Sequence, residues 1–165
     1  MSMSVFKVAD VEGSYTVDQP VTEADIIEMA SHIATQRLEG LDPVTSADLS
    51  RRYLRARMLP LEHEVFAVMF LTTTHRVIKY EEVFRGTIDA ASVYPREVVK
   101  LSLQYNASAV ILAHNHPSGC AEPGQADRNI TEKLRDALNL IGVRVLDHLV
   151  VGTEGIVSFA ERGLI

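Results

Sequence analysis

Apolar positions along the chain recur with two different periods, and the change between them divides the sequence. Up to about residue 20 the chain is polar and turn-rich, with a short strand predicted over 5–8. Thr22 and Asp25 then stand as an N-cap and an acid three residues on, a relative of the capping box. Behind them Ile26, Ile27, Ala30, Ile33, Ala34 and Leu38 repeat at helical spacing as far as Gly40, a residue suited to the backbone just past a helix end. Residues 41–44 read as a linker. Ser46 caps a second helix that runs to about Met58 and is stopped by Pro60.

The pattern changes at Glu62. Val65, Ala67, Met69 and Leu71 alternate with Phe66, Val68 and Phe70, giving a strand that is apolar on both faces, as a central strand is. A second strand over 76–84 follows Thr72-Thr73-Thr74-His75 and completes a hairpin ended by Gly86. Pro95-Arg96-Glu97 opens a helix, with proline at the first helical position and an acid in the first turn, and Val98, Val99, Leu101, Leu103 and Tyr105 carry it to Asn106. The run over 109–113 is short and wholly apolar, which predicts a buried strand. After a polar loop come a helix over 125–141 closed by Gly142, a strand over 143–151, a turn over 152–155 and an edge strand over 156–159. Strands interleaved with helices predict an α/β fold in which a mixed β-sheet is flanked by helices. Residues 1–45 form a short N-terminal extension with one helix, and 46–165 the domain proper.

A chain of 165 residues, 47% of them hydrophobic, suits one domain with a real core. No apolar run approaches the roughly 20 residues that span a bilayer, and the N-terminus lacks the basic segment and apolar stretch of a signal peptide. The single cysteine, Cys120, excludes an intrachain disulfide and any Cys-rich zinc site. The expectation is a cytoplasmic protein with no membrane partner. The net charge of −6 is concentrated at the start: residues 1–42 hold Lys7 and Arg37 against eight acids, and the remainder carries 14 residues of each sign. Nucleic-acid binders show a basic excess over a whole face, because phosphate neutralisation drives their affinity. Here only Arg51, Arg52, Arg55 and Arg57 cluster, and a solvated helix face accounts for them, so DNA binding is not expected from charge.

The chemistry is concentrated between Ala113 and Asp127. Residues i and i+2 of a strand point to one side, so His114 and His116 can converge on one point beyond the strand end. Asp127 lies in the first turn of the next helix, and a loop containing Pro117, Gly119, Pro123 and Gly124 can fold back to bring its carboxylate to the imidazoles. Two nitrogens and one oxygen leave a fourth tetrahedral position for water, the arrangement of a catalytic rather than a structural zinc site. A lone His-X-His is weak, and Asp127 alone is a helix first-turn acid; their combination is what predicts zinc. Other metal families fit poorly. Zinc deaminases require His-X-Glu with Pro-Cys-X-X-Cys, zincins require His-Glu-X-X-His, and the letters His-Asn-His match a nuclease class in spelling only.

From about Glu62 to Ile165 the sequence resembles the RadC-type branch of the JAMM (MPN-plus) metalloproteases. Their pattern is an upstream Glu, His-X-His, ten residues and Asp, matched here by Glu64, His114, His116 and Asp127. The RadC-like features are Gly86-Thr87, Pro95-Arg96-Glu97, Asn106-Ala107, His114 through Gly119, Asp147-His148 and the ending Ser158 through Gly163. The resemblance implies the three-layer JAB/MPN architecture shared with cytidine deaminases, a Zn2+ cofactor, and hydrolysis of a peptide or isopeptide bond in a peptide or protein substrate. It makes Glu64, by position only a strand-end carboxylate, the general base that takes a proton from the zinc-activated water and passes it to the leaving amine. Glu62 is the competing carboxylate. The resemblance equally allows a catalytically weak or silent metal-binding module in DNA repair or mobile-element biology.

Two departures bear on the choice. The pattern has a serine three residues before the Asp, thought to steady the tetrahedral intermediate; this chain has Gly124, and losing one such donor costs on the order of a hundredfold in rate unless a backbone N–H substitutes. RadC relatives often carry a helix-hairpin-helix module ahead of the domain, for which residues 1–45 are too short and too acidic. Asn115 and Ser118 are expected to brace the loop. Asp147 and His148 either support the site from a neighbouring strand or close a core hydrogen bond. Cys120 is a fourth ligand, a redox-sensitive thiol or an incidental loop residue. His32, His63 and His75 are expected at the surface.

Overall fold

Seven consecutive apolar residues, Val65–Leu71, form a strand that is buried along its whole length, and the rest of the domain is arranged around it. The computed structural model describes residues 5–11, 13–39, 47–86 and 93–165, with the side chains of 34–39 and 47–49 outside that description. Among the described residues the elements run β1 (Phe6–Val8), β2 (Tyr15–Val17), α1 (Glu23–Glu39), α2 (Ala47–Met58), β3 (Val65–Leu71), β4 (Val77–Arg85), α3 (Pro95–Gln104), β5 (Ala109–Asn115), α4 (Gln125–Leu140), β6 (Arg144–Gly152) and β7 (Gly155–Ser158).

The five-stranded sheet has the order β4-β3-β5-β6-β7. Only β5 and β6 are parallel, joined through α4; the other pairs are antiparallel. Because side chains alternate across a strand, the two faces of the sheet build two cores. Ala67, Met69 and Leu71 of β3 with Ile111 and Ala113 of β5 pack against Tyr53, Leu54 and Met58 of α2. Phe66, Val68 and Phe70 with Val110 and Leu112 pack against Val98 of α3 and Leu134 and Leu138 of α4. Helices on both faces of a mixed sheet make the α/β architecture that the sequence predicts, in the three layers that the resemblance implies.

The N-terminal segment departs from expectation. β1 is followed by a second short strand, β2, and the two pair antiparallel. The capping box at α1 is present: Asp25 N–H donates to Thr22 Oγ1 at 3.2 Å, and Thr22 N–H to Asp25 Oδ2 at 2.8 Å. Ile26 and Ile27, expected on the buried stripe of α1, are exposed, and Met29 is buried instead. Ser31 Oγ donates to the Ala56 carbonyl and ties α1 to α2. The expected boundary at 45, with Gly40, the 41–44 linker and the Ser46 cap, lies outside the described residues.

The remaining elements lie within two residues of their predicted bounds, and one shift matters. β5 runs two residues past Ala113, so His114 and Asn115 belong to the strand and are buried. His63 and His75 are half-buried rather than exposed, and so is His32.

Candidate metal centre

The alternation of β5 puts His114 on the face of Val110 and Leu112, toward α4. On α4, Thr131, Leu134 and Leu138 form the buried stripe, and Asp127 continues it one turn earlier. The packing that seats the helix therefore also aims the Asp127 carboxylate at His114. His116 follows β5, on the same side as His114, with its N–H donating to the Val151 carbonyl at 2.8 Å. The site is not beyond the strand end, as expected, but sunk into it. His114 is only 1% exposed and its ring lies parallel to that of Phe66, with centroids 6.2 Å apart.

His114, His116 and Asp127 each turn one ligand atom to a common point, all within 4.8 Å of one another. The two Nε2 atoms are 2.9 Å apart. Asp127 Oδ1 is 3.2 Å from His114 Nε2, and Oδ2 is 3.6 Å from His116 Nε2. The opposite ring nitrogens are already engaged: His116 Nδ1 donates to the Cys120 carbonyl at 2.8 Å, and His114 Nδ1 is 2.8 Å from His148 Nε2. Two imidazole nitrogens and a carboxylate crowded so closely are reconciled only by protons or by one cation, and this donor set suits zinc.

The electrostatics follow from that crowding. The Asp127 carboxylate facing it raises the His116 pKa against the opposing effect of burial, with the Cys120 carbonyl and the charge of Glu64 adding to it. Burial alone would push the Asp127 carboxyl up, but the His114 and His116 imidazoles facing it and the hydrogen bond from the Gly124 N–H hold it far below the usual carboxylate range. Burial keeps His148 neutral, its pKa well below that of a free imidazole.

Glu64 precedes β3 and has the parity of Phe66, which pairs with His114. Continuing that antiparallel register sets Glu64 opposite His116, and its charge acts on His116, whereas Glu62 is not among the charges that do. Asn115 braces this segment rather than the loop expected. Its Oδ1 accepts from Val65 N–H at 2.8 Å and its Nδ2 donates to the His63 carbonyl at 3.1 Å, so it clamps the chain on either side of Glu64.

Ser118 is exposed, and its hydroxyl makes no hydrogen bond among the described residues. Cys120 is exposed and its thiol is outside the ligand cluster; only its carbonyl serves the site. Strand alternation separates Asp147 from His148. Asp147 accepts from Ser158 Oγ at 2.6 Å and Ala160 N–H at 3.0 Å, pinning the turn after β7, while His148 faces the metal cluster. Gly124 N–H donates to Asp127 Oδ2 at 2.7 Å, so this backbone group is not free to stand in for the missing serine.

Two residues of the site have no counterpart in the sequence reading. Thr131 is a polar residue on the apolar stripe of α4, four positions after Asp127, and that placement was the available signal. Gly152 read only as a turn residue. A Cβ there would lie 2.2 Å from the Gly119 carbonyl oxygen and 2.9 Å from Ala121 N, so the ligand loop rests directly on the end of β6. Gly119 itself has φ +98°, in the left-handed region. Gly152→Ala is expected to push this loop outward and destabilise the protein by about 1–3 kcal/mol, as overpacking does, read as a lower melting temperature together with weaker zinc retention.

A family model described as the RadC-like JAB domain matches residues 44–164. A UPF0758 protein of Vibrio cholerae serotype O1 is 53% identical over 149 residues, covering 90% of this chain and 94% of that one. A UPF0758 protein of Marinobacter nauticus is 49% identical over 164 residues, 99% of this chain and 73% of the relative. A third, from Thioalkalivibrio sulfidiphilus, is 56% identical over 140 residues, and there the match spans only 62% of the relative's length. Among the described residues, no helix is long and apolar enough to cross a membrane. With a matching family model over most of its length and relatives at about half identity, the chain belongs to the RadC-like JAB domain family.

Proposed function

We propose that the chain is a zinc-dependent metallohydrolase that cleaves a peptide or isopeptide bond in a protein substrate. The observation that carries this reading is the convergence of His114 Nε2, His116 Nε2 and the Asp127 carboxylate at the end of β5, with Glu64 on the same side. His114, His116 and Asp127 would hold zinc there, which would supply Lewis acidity, lowering the pKa of water toward about 7 and polarising a carbonyl. Glu64, held by the Asn115 clamp, accepts the water proton and returns it to the leaving amine. The engaged Gly124 N–H favours slow turnover, since the family serine is absent and the backbone donor at its position is already bonded.

The basic residues of α2 do not support tight binding to duplex DNA. Arg51 ion-pairs with Glu161, and Arg57 lies over the Tyr80 ring at 5.0 Å from its centroid.

The test is metal analysis of the purified protein paired with a proteomic cleavage screen run with and without chelator. One zinc per chain and chelator-sensitive cleavage are expected; a metal-free protein, or cleavage indifferent to chelator, would refute the proposal. The raised pKa of His116 sets the pH dependence. A proton and a metal compete for the same Nε2, so affinity should fall about tenfold per pH unit for each proton displaced as pH drops through that pKa. Dialysis at about pH 5 should accordingly strip far more zinc than at about pH 8.

A further inference from the structure

Behind His114 lies a line of buried polar groups that metal ligation alone does not require. We propose that Thr131 and His148 are positioning residues that fix the tautomer of His114, presenting its Nε2 to the metal site as an unprotonated donor. The inference rests on the metal-centre reading, and it is argued from proton accounting. Thr131 Oγ1 donates to the Asp127 carbonyl at 2.5 Å. A hydroxyl has one proton to give. In the contact between Thr131 Oγ1 and His148 Nδ1, 2.6 Å apart, the donor is therefore the imidazole N–H.

His148 is 0% exposed and enclosed by Phe66 and Phe159, whose ring centroids are 5.4 Å and 4.7 Å away. Among the described residues the ring nitrogens meet only Thr131 Oγ1 and His114 Nδ1 and no carboxylate, so in this buried, apolar enclosure the neutral ring is the form accommodated. Neutral and protonated at Nδ1, it carries its lone pair on Nε2, 2.8 Å from His114 Nδ1. His114 must then donate from Nδ1, and its own lone pair is left on Nε2, facing His116 and Asp127.

The line starts on the backbone of Asp127 and ends on the ring of His114, so one proton order ties α4, β6 and β5 together. The reverse order has Thr131 donating to His148 and His148 donating from Nε2. It would leave His114 protonated at Nε2, a donor where the site needs an acceptor. Hydrogen bonds of this kind to a ligating imidazole set its tautomer, and their loss typically weakens metal affinity about 10–100-fold.

Long-range 1H–15N correlation spectra of the whole chain, metal-free and with added zinc, read the tautomers directly. The expected result is His148 protonated at Nδ1 in both samples, and His114 protonated at Nδ1. A zinc dissociation constant measured by chelator competition should rise about 10–100-fold in Thr131→Val, which keeps the side-chain shape, and return close to the wild-type value in Thr131→Ser. His148 protonated at Nε2 would overturn the proposal, and so would Thr131→Val binding zinc as tightly as wild type. A wild-type chain that takes up no zinc would refute the metal reading instead, and the metal-free spectrum would still decide the proton order.

Discussion

Replacing His116 by alanine is expected to reduce zinc from one per chain to none after mild dialysis, with the fold retained. His116 is the informative ligand because it is only half-buried and its backbone, not its ring, continues the pairing with Val151. Removing the imidazole opens no sealed cavity. His114 is a poorer choice, since it is buried, stacked on Phe66 and bonded to His148, so that His114→Ala would confuse loss of metal with loss of packing. Dividing the roughly 10–16 kcal/mol of a four-ligand zinc site among its ligands gives about 2.5–4 kcal/mol each, or on the order of a hundred- to a thousandfold in affinity. That is enough to empty the site in chelator-treated buffer. Cys120→Ser serves as the control: its thiol lies outside the ligand cluster, and zinc content should not change. Stoichiometric zinc in His116→Ala would mean that the ligand set is wrong.

What the sequence disclosed, and what it concealed, follows from the kind of signal each residue leaves. β3 and the apolar part of β5 were plain because hydrophobic runs report burial directly. Hydropathy ends β5 two residues short because His114 and Asn115 are polar, and it does not register that each has a partner waiting. The convergence of His114, His116 and Asp127 was legible from spacing alone, since strand parity and a helix first turn constrain direction. Glu64 was not. Its claim rests on a register with β5 that no local pattern encodes, which is why position alone left it a surface carboxylate. Asp147 and His148 illustrate the same limit. Adjacent residues on a strand face opposite ways, so one pins the turn after β7 and the other supports His114, and the sequence could only pose the question. β2 escaped because three mostly exposed residues carry almost no periodicity.

Glu64→Gln is expected to keep zinc and fold while lowering turnover by roughly 10²-fold or more, because a general base acts on a proton in flight and not on the metal. Glutamine preserves the shape of the side chain, and the Asn115 clamp holds only the backbone on either side of it, so the local structure should not move. Glu62→Gln is the control: Glu62 is exposed and does not act on His116, and its loss should change little. Gly124→Ser tests the opposite direction. Gly124 has φ −77° and ψ 175°, a conformation open to any residue, and an added Cβ would meet only Asp127 Oδ2 at an ordinary 3.5 Å. Serine there also occupies the N-cap of α4, a few tenths of a kcal/mol better than glycine. If the missing hydroxyl limits the rate, Gly124→Ser should raise kcat toward the roughly hundredfold that one oxyanion donor supplies, with little effect on KM. An intact kcat in Glu64→Gln alongside a dead Glu62→Gln would identify the wrong carboxylate. Should neither matter on a substrate whose cleavage requires the metal, the base lies elsewhere and the proton route through Glu64 fails.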